Sequence, residues 1–306
     1  MSDLVLEVDQ LNVVFKGRRG QASVHAVRDV DITLAPGETL GLVGESGSGK
    51  STTARGLLRL VEPTSGTVRL DGPDLTAMGA KELRRARRDI QMVFQDPYSS
   101  LNPARVVGLS VGEPIEVHED LSRDERNARV RHLLERVNLS PDFFERYPYE
   151  FSGGQRQRIA IARAIASNPK VVVCDEAVSA LDVSTQNEVI NLLEDLQADL
   201  GMSYLFIAHD LAVVRHISDR IAVMYLGHIV EEGPAERVFS NPAHPYTEVL
   251  LAAVPSPDPS DRLIDNAGLL VGELPDPSDP PSGCPFRTRC RYVIDACERS
   301  MPIATP

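Results

Sequence analysis

The first 95 residues contain short apolar runs separated by polar segments. These runs predict β-strands at residues 4–14, 30–34, 39–43, 66–70 and 90–94. The run at 39–43 is typical of a strand that is buried on both faces of a parallel sheet. A helical pattern follows at 52–60 and ends near Pro63. This region therefore predicts a strand, a loop and a helix in direct succession.

The pattern changes after residue 95 and later returns to alternating strands and helices. The polar, proline-containing segment 97–103 predicts a loop, and apolar residues at helical spacing predict a helix over 122–137. Further helices are predicted at 154–166 and 184–200, and further strands at 171–174, 204–207, 221–225 and 229–231. This alternation predicts an α/β fold with a mostly parallel sheet that is covered on both faces.

Three parts of the chain differ in these patterns. The alternating pattern predicts an α/β core formed by residues 1–95 and 160–233. Between the two segments, residues 96–159 predict an inserted helical subdomain. Residues 234–306 form a C-terminal extension, in which the Pro-, Ser- and Asp-rich stretch 255–283 predicts irregular structure.

Composition and charge narrow the classes of function. The chain has 306 residues, of which 42% are hydrophobic, so it can bury a sizeable core. Its net charge of −12 argues against nucleic-acid binding, which usually needs a basic face. The basic run Arg84–Arg88 indicates either a solvated helix face or a docking surface for a partner or a membrane. Because the sequence has neither a membrane-spanning apolar stretch nor the features of a signal peptide, we expect a soluble, cytoplasmic protein.

A glycine-rich loop carries the clearest chemistry. Residues 44–51 read GESGSGKS and match the phosphate-binding pattern G-x-x-x-x-G-K-[ST]. Between a strand and a helix, the backbone N–H groups of such a loop surround phosphates with positive potential. Lys50 then reaches the β- and γ-phosphates, and the Ser51 hydroxyl binds Mg²⁺. The loop therefore predicts a nucleoside triphosphate as the ligand.

Two further motifs predict hydrolysis by a dimer. The apolar run 171–174 ends in Asp175, which can hold Mg²⁺ through its hydration shell, and in Glu176, which can orient or deprotonate an attacking water. Residues 152–155, Ser-Gly-Gly-Gln, open a helix whose N-terminus favours a second phosphate position. Because one chain then carries two separate motifs that can bind a γ-phosphate, we expect each nucleotide site to be formed by two chains.

The order of these motifs resembles that of the ABC transporter ATPases. This resemblance implies a P-loop core with an antiparallel β edge, an inserted helical subdomain, and hydrolysis of ATP with Mg²⁺. In it, the signature motif corresponds to Ser152, Gly153, Gly154 and Gln155, and the Walker B aspartate and catalytic carboxylate to Asp175 and Glu176. The Q-loop glutamine is then Gln95, the D-loop aspartate is Asp182, and the switch histidine is His209.

The same resemblance implies which residues contact the nucleotide. Phe15 would stack on the adenine, and the phosphates would lie against Gly44, Glu45, Ser46, Gly47, Ser48, Gly49, Lys50, Ser51 and Thr52. Mg²⁺ would be held by Ser51, Gln95 and Asp175, and catalysis would depend on Lys50, Gln95, Glu176 and His209. The chain departs from the family pattern at Phe151, where leucine is usual, and at Ala177, where proline is usual. Neither change removes a reacting group.

Three segments resemble oligopeptide/dipeptide-type importers more specifically. They are QDPYSSLNP at 95–103, NPAHPYT at 241–247 and PPSGCPF at 280–286, and the Pro-Ser run at 255–259 resembles the F-type half of the ATPase pair. This implies a second, non-identical ATPase subunit, two transmembrane permease subunits, an extracytoplasmic substrate-binding protein and a place at the cytoplasmic face of the cell membrane. Nickel, glutathione or oligosaccharide import, export, and a soluble ABC ATPase acting on nucleic acid or ribosomes remain alternatives.

Three cysteines lie close together in the extension. Cys284, Cys290 and Cys297 have the spacing C-x5-C-x6-C, which matches neither a zinc C-x2-C pair nor a ferredoxin run. The family resemblance implies a [4Fe-4S]-binding extension with four cysteines, and no fourth follows before Pro306. Either the sequence continues further, or another residue completes the cluster, or no cluster forms. Zinc and free thiols are the other interpretations.

Overall fold

The computed structural model describes residues 4–17, 22–253 and 274–302. The Pro-Ser run at 255–259 and most of the predicted irregular stretch therefore lie outside the described residues. The chain divides into two compact units. The first contains residues 1–7, 33–39 and 69–208, and the second contains residues 8–32, 40–68 and 209–306. The division of the chain into an α/β core, an inserted helical subdomain and a C-terminal extension stays a prediction.

The described residues form the following strands and helices. The strands are β1 (Leu6–Phe15), β2 (Val24–Leu34), β3 (Thr39–Val43), β4 (Ser65–Leu70), β5 (Ile90–Val93), β6 (Val171–Asp175), β7 (Ser203–Ile207), β8 (Arg220–Tyr225) and β9 (His228–Pro234). The helices are α1 (Lys50–Leu57), α2 (Ala80–Ala86), α3 (Pro97–Ser100), α4 (Val107–His118), α5 (Arg123–Arg136), α6 (Gly153–Ile165), α7 (Val183–Leu200), α8 (Leu211–Ile217), α9 (Ala235–Ser240) and α10 (Pro245–Ala252).

The first unit is built on three parallel strands in the order β5-β6-β7. Every residue of β6 and β7 is buried, as expected for parallel strands that are covered on both faces. Cys174 is part of this core. Burial and the neighbouring charge of Asp175 raise the pKa of its thiol to about 12. This thiol is therefore a small buried apolar group rather than a reactive one.

Helices α4, α5 and α6 of the first unit pack on one another. The predicted helix α5 begins at Arg123 and is capped by Ser122, whose hydroxyl accepts a hydrogen bond from the N–H of Glu125 in a capping box. The sequence pattern did not predict α4, because Pro114 lies inside it and proline normally ends a helix. A loop was predicted where α3 lies, and this helix begins where the Asp96 carboxylate accepts from the N–H of Tyr98.

In the second unit, β3 pairs with β8 in parallel, and β8 pairs with β9 antiparallel, which is the predicted antiparallel edge. The turn between β8 and β9 lies at Leu226 and Gly227, and both residues have positive φ. Strands β1, β2 and β4 form a separate sheet in the order β2-β1-β4.

The extension begins with α9 and α10, which the sequence pattern also missed. In the described part of the chain, no helix is both long and apolar enough to cross a membrane.

Candidate functional site

The glycine-rich loop of the second unit joins the end of β3 to the start of α1. Its glycines Gly44, Gly47 and Gly49 have positive φ values of 154°, 81° and 111°. A Cβ at Gly44 would lie 2.2 Å from the carbonyl oxygen of Met224, and one at Gly49 would lie 2.4 Å from that of Ala26. Both positions therefore require glycine on conformational and steric grounds. The loop has the geometry in which backbone N–H groups face a phosphate.

Lys50 is folded against this loop and is only 4% exposed. Its Nζ donates hydrogen bonds to the carbonyl oxygens of Gly44 (2.7 Å) and Glu45 (2.9 Å) and contacts the Ser48 hydroxyl at 3.5 Å. The ammonium group is thus already held beside the loop. Ser51 follows in the first turn of α1 and is half-buried.

In the first unit, two predicted catalytic groups come together at the ends of neighbouring strands. Gln95 Nε2 donates a hydrogen bond of 2.6 Å to Glu176 Oε2 across 81 residues of sequence. Glu176 has a φ of 49°, and its N–H donates to the carbonyl of Ile207 (2.9 Å). A non-glycine residue in this conformation costs roughly 1–3 kcal/mol, and such strain is common at active sites. The buried Asp175 precedes it on β6.

The predicted signature residues form the N-terminus of α6. The hydroxyl of the exposed Ser152 accepts from the N–H of Gln155 (3.3 Å), and the Ser152 N–H donates to Gln155 Oε1 (3.1 Å). A Cβ at Gly154 would lie 2.3 Å from Thr185 Cγ2, so this glycine permits close packing of α6 on α7. At Gly153 the nearest atom to a Cβ would be Leu181 Cδ2 at 3.7 Å, so a side chain could begin here in ordinary van der Waals contact.

Two arginines of α6 hold the segment after Gln95. The Arg156 guanidinium lies 4.0 Å from the centre of the Tyr98 ring, and Arg163 Nη1 donates to the carbonyl oxygen of Ser100 (2.5 Å). Burial lowers the pKa of Arg163. The motifs in the sequence indicated neither contact of these arginines. Their seven-residue spacing, which places them on one face of a helix, is the signal that could have found them.

The remaining predicted residues lie at the ends of elements. The Asp182 carboxylate accepts from the N–H (3.0 Å) and hydroxyl (2.7 Å) of Thr185 at the start of α7, and these hydrogen bonds lower its pKa. His209 is exposed just before α8, and Phe15 is 44% exposed at the end of β1. Their D-loop, switch and adenine-stacking roles remain predictions.

The C-terminal extension contacts the phosphate-binding loop, which the sequence did not suggest. The N–H of Glu45 donates to the Tyr246 hydroxyl (2.8 Å). Arg289 donates from its two terminal nitrogens to the two carboxylate oxygens of Glu45, each at 3.0 Å. All of these residues belong to the second unit.

The three cysteines of the extension are not grouped as a metal site in the described part of the chain. The N–H of Cys284 donates to the carbonyl of Cys297 (2.8 Å), and burial raises the pKa of the Cys284 thiol. Within residues 4–17, 22–253 and 274–302, no three Cys, His, Asp or Glu side chains form a group that could hold a metal. The expectation of a [4Fe-4S] cluster at Cys284, Cys290 and Cys297 is therefore not supported.

Comparison with protein-family models gives two matches. Residues 27–179 match the family described as ABC transporter, and residues 230–297 match the oligopeptide/dipeptide transporter, C-terminal region. Among curated proteins, the probable peptide ABC transporter ATP-binding protein y4tS of Sinorhizobium fredii is 50% identical over 100% of this chain and 88% of its own. The oligopeptide transport ATP-binding protein OppF of Salmonella typhimurium is 51% identical over 98% of this chain and 92% of its own.

Solved structures give the same fold. The ATP-binding cassette MJ0796, in a dimeric post-hydrolysis state bound to ADP and Pi, superposes with a TM-score of 0.69 at 31% identity and covers 75% of this chain and 98% of its own. CbiO1 of Clostridium perfringens, part of the ABC transporter complex cbiONQ, has a TM-score of 0.69 at 29% identity. It covers 78% of this chain and 92% of its own.

Proposed function

Because the chain belongs to the ABC transporter family, in the group with the oligopeptide/dipeptide transporter C-terminal region, we propose that it is the ATP-hydrolysing subunit of a peptide importer. The observation that carries the proposal is the phosphate-binding loop, in which Gly44 and Gly49 exclude any side chain and the buried Lys50 lies against the loop. Similarity to peptide-transport ATPases over nearly the whole chain favours peptides over nickel, glutathione or oligosaccharides as the cargo.

Residues 44–51 supply the groups that bind the triphosphate. The N–H groups of residues 44–51 donate to phosphate oxygens, and Lys50 exchanges its contacts with loop carbonyls for contacts with the β- and γ-phosphates. The Ser51 hydroxyl would be a ligand for Mg²⁺, which prefers oxygen donors of this kind. When bound, Mg²⁺ would supply positive charge beside the phosphates.

Glu176 and Gln95 supply the groups that activate water. The Glu176 carboxylate accepts a proton from a water whose oxygen attacks the γ-phosphorus in line, and ADP leaves with the bonding electron pair. Gln95, which is hydrogen-bonded to Glu176, orients this carboxylate, and Asp175 and Gln95 are the further proposed Mg²⁺ ligands. His209 contacts the γ-phosphate. Rate enhancement therefore comes from positioning and electrostatics rather than from a covalent intermediate.

Residues Ser152–Gln155 act on the ATP bound by a partner ATPase subunit. This role is supported by the exposed Ser152 and the partly exposed Gly153 at the helix N-terminus, which carries partial positive charge. The partner is a second ABC ATPase, and the pair joins permease subunits at the cytoplasmic face of the membrane. The segment 95–102, which the α6 arginines hold, is the proposed contact with the permease.

A charge substitution at Gly153 tests this role. Gly153→Asp places a carboxylate where the partner's phosphate is expected, so ATPase activity should fall at least about tenfold relative to Gly153→Asn, which has a similar size and no charge. ATP binding to the isolated chain should be the same in both variants. Steady-state hydrolysis and fluorescent-nucleotide titration provide the two readouts. Equal hydrolysis by the Asp and Asn variants would show that no phosphate approaches this helix.

The subunit composition is tested by purifying the tagged chain from native membranes in mild detergent. We expect multi-span permease subunits and a second ATPase to co-purify and to be identified by mass spectrometry. Recovery only from the soluble fraction, together with ribosomal or nucleic-acid-binding proteins, would contradict the transport function and leave the ATPase chemistry in place.

A further inference from the structure

Glu45 of the phosphate-binding loop is held on three sides. Its carbonyl oxygen accepts from Lys50 Nζ (2.9 Å), its N–H donates to the Tyr246 hydroxyl (2.8 Å), and its carboxylate is paired with Arg289 (3.0 Å to each oxygen). The first contact lies within the loop, whereas the other two come from the C-terminal extension. Any shift of Glu45 would therefore also move the carbonyl that positions the Lys50 ammonium group.

The two contacts from the extension are well supported by packing. Tyr246 is fully buried, and Arg289 is only 6% exposed. The rings of Tyr225, Tyr246 and Phe286 pack on one another with centroids 4.6–5.5 Å apart. Tyr225 lies in β8 beside the loop, whereas the other two rings belong to the extension. The aromatic cluster thus fixes the extension on the strand next to the phosphate-binding loop.

The form of the Arg289 contact also indicates positioning. A guanidinium group that donates to both oxygens of a carboxylate fixes its orientation as well as its distance. Glu45 occupies one of the variable positions of G-x-x-x-x-G-K-[ST], at which the phosphate-binding pattern itself requires no particular residue. Its carboxylate faces Arg289, so the side chain serves the contact with the extension.

We propose that the C-terminal extension sets the conformation of the phosphate-binding loop, and that Arg289 and Tyr246 are positioning residues that act on ATP affinity through Glu45. The inference rests on the proposed function, because it takes ATP as the ligand of this loop. With both contacts in place, the loop already has its phosphate-binding conformation before ATP binds. Without them, the loop samples other conformations. The apparent affinity for ATP then falls in proportion to the fraction of molecules whose loop is still in the binding conformation.

Arg289→Ala tests this role in the full-length chain. We expect the Kd for fluorescent MgATP and the KM for ATP to rise about tenfold, which corresponds to a competent fraction of about one tenth. At saturating ATP the bound loop has the same shape, so kcat should stay within about twofold. Arg291→Ala is the matched control, since Arg291 pairs with Glu248 (2.8 Å) in the same extension and its ion pair does not involve the loop. This control should keep the wild-type affinity.

A second set of variants separates positioning from loss of folding. Glu45→Gln removes the charge pair from the loop side and should raise Kd by the same factor as Arg289→Ala. In the double variant the second change should add less than about twofold, because both changes remove one interaction. Tyr246→Phe removes only the hydroxyl and should raise Kd by a smaller factor.

The outcomes distinguish this inference from the proposed function. Wild-type affinity in Arg289→Ala or Glu45→Gln, or additive effects in the double variant, would overturn the positioning role while the ATPase assignment stands. Failure of the wild-type chain to bind MgATP at all would overturn the proposed function and this inference with it.

Discussion

At saturating MgATP, the Glu176→Gln variant should hydrolyse ATP at least about a hundredfold more slowly than the wild-type chain. Glutamine has the same size and still accepts a hydrogen bond from Gln95, but it cannot take a proton from the attacking water. ATP binding should be retained because the phosphate-binding loop is unchanged. The ATP-bound pair of subunits should therefore accumulate, which size-exclusion chromatography with MgATP would detect.

The control for this variant is Glu188→Gln. Glu188 is a largely exposed carboxylate on α7 that pairs with Arg158 (2.8 Å), and a surface ion pair of this kind contributes roughly 0–1 kcal/mol. Its substitution should leave turnover unchanged. Wild-type turnover in Glu176→Gln would remove Glu176 from the proposed mechanism.

Replacement of Lys50 by methionine should reduce affinity for MgATP on the order of a hundredfold or more. The change removes charge-assisted hydrogen bonds to two phosphates, each worth about 1.5–3 kcal/mol, while it keeps most of the side-chain volume. In the ligand-free chain, Lys50 also donates hydrogen bonds to the carbonyl oxygens of Gly44 and Glu45. A modest fall in melting temperature should therefore accompany the loss of affinity. Nucleotide titration and thermal unfolding measure the two effects separately.

Lys170→Met is the matched control, because it removes the same charge from an exposed position. Lys170 pairs with Asp71 at the surface of the first unit, which raises the pKa of its ammonium group. This variant should bind MgATP as tightly as the wild type. If Lys50→Met also bound MgATP normally, the loop would not be the nucleotide site.

Local patterns predicted the strands that position the chemistry. The runs at 39–43 and 171–174 correspond to β3 and β6, and the motifs follow them directly in the chain. These features depend on neighbouring residues, so the sequence displays them. Helix α4 was missed because Pro114 interrupts its pattern, although its buried residues follow helical spacing. The steric need for Gly44 also could not be inferred, because it depends on the carbonyl of Met224.

Contacts between distant residues were beyond the reach of sequence patterns. Arg289 and Glu45 are 244 residues apart, and no periodicity connects them. The hydrogen bond between Gln95 and Glu176 likewise depends on the parallel pairing of β5 with β6, which brings the two strand ends together. The family resemblance implied an iron–sulfur cluster at the three cysteines, whereas no three Cys, His, Asp or Glu side chains of the described residues form a group that could hold a metal.

We propose that this chain uses ATP to drive peptide import, and transport by the complex that contains the chain is the test of that claim. The complex would be purified through a tag on this chain, reconstituted into vesicles with its substrate-binding protein, and assayed for accumulation of a labelled tripeptide. We expect accumulation that requires MgATP on the side of the membrane where this chain lies and that is absent from the Glu176→Gln complex. Accumulation without ATP, or equal accumulation by the Glu176→Gln complex, would contradict the claim.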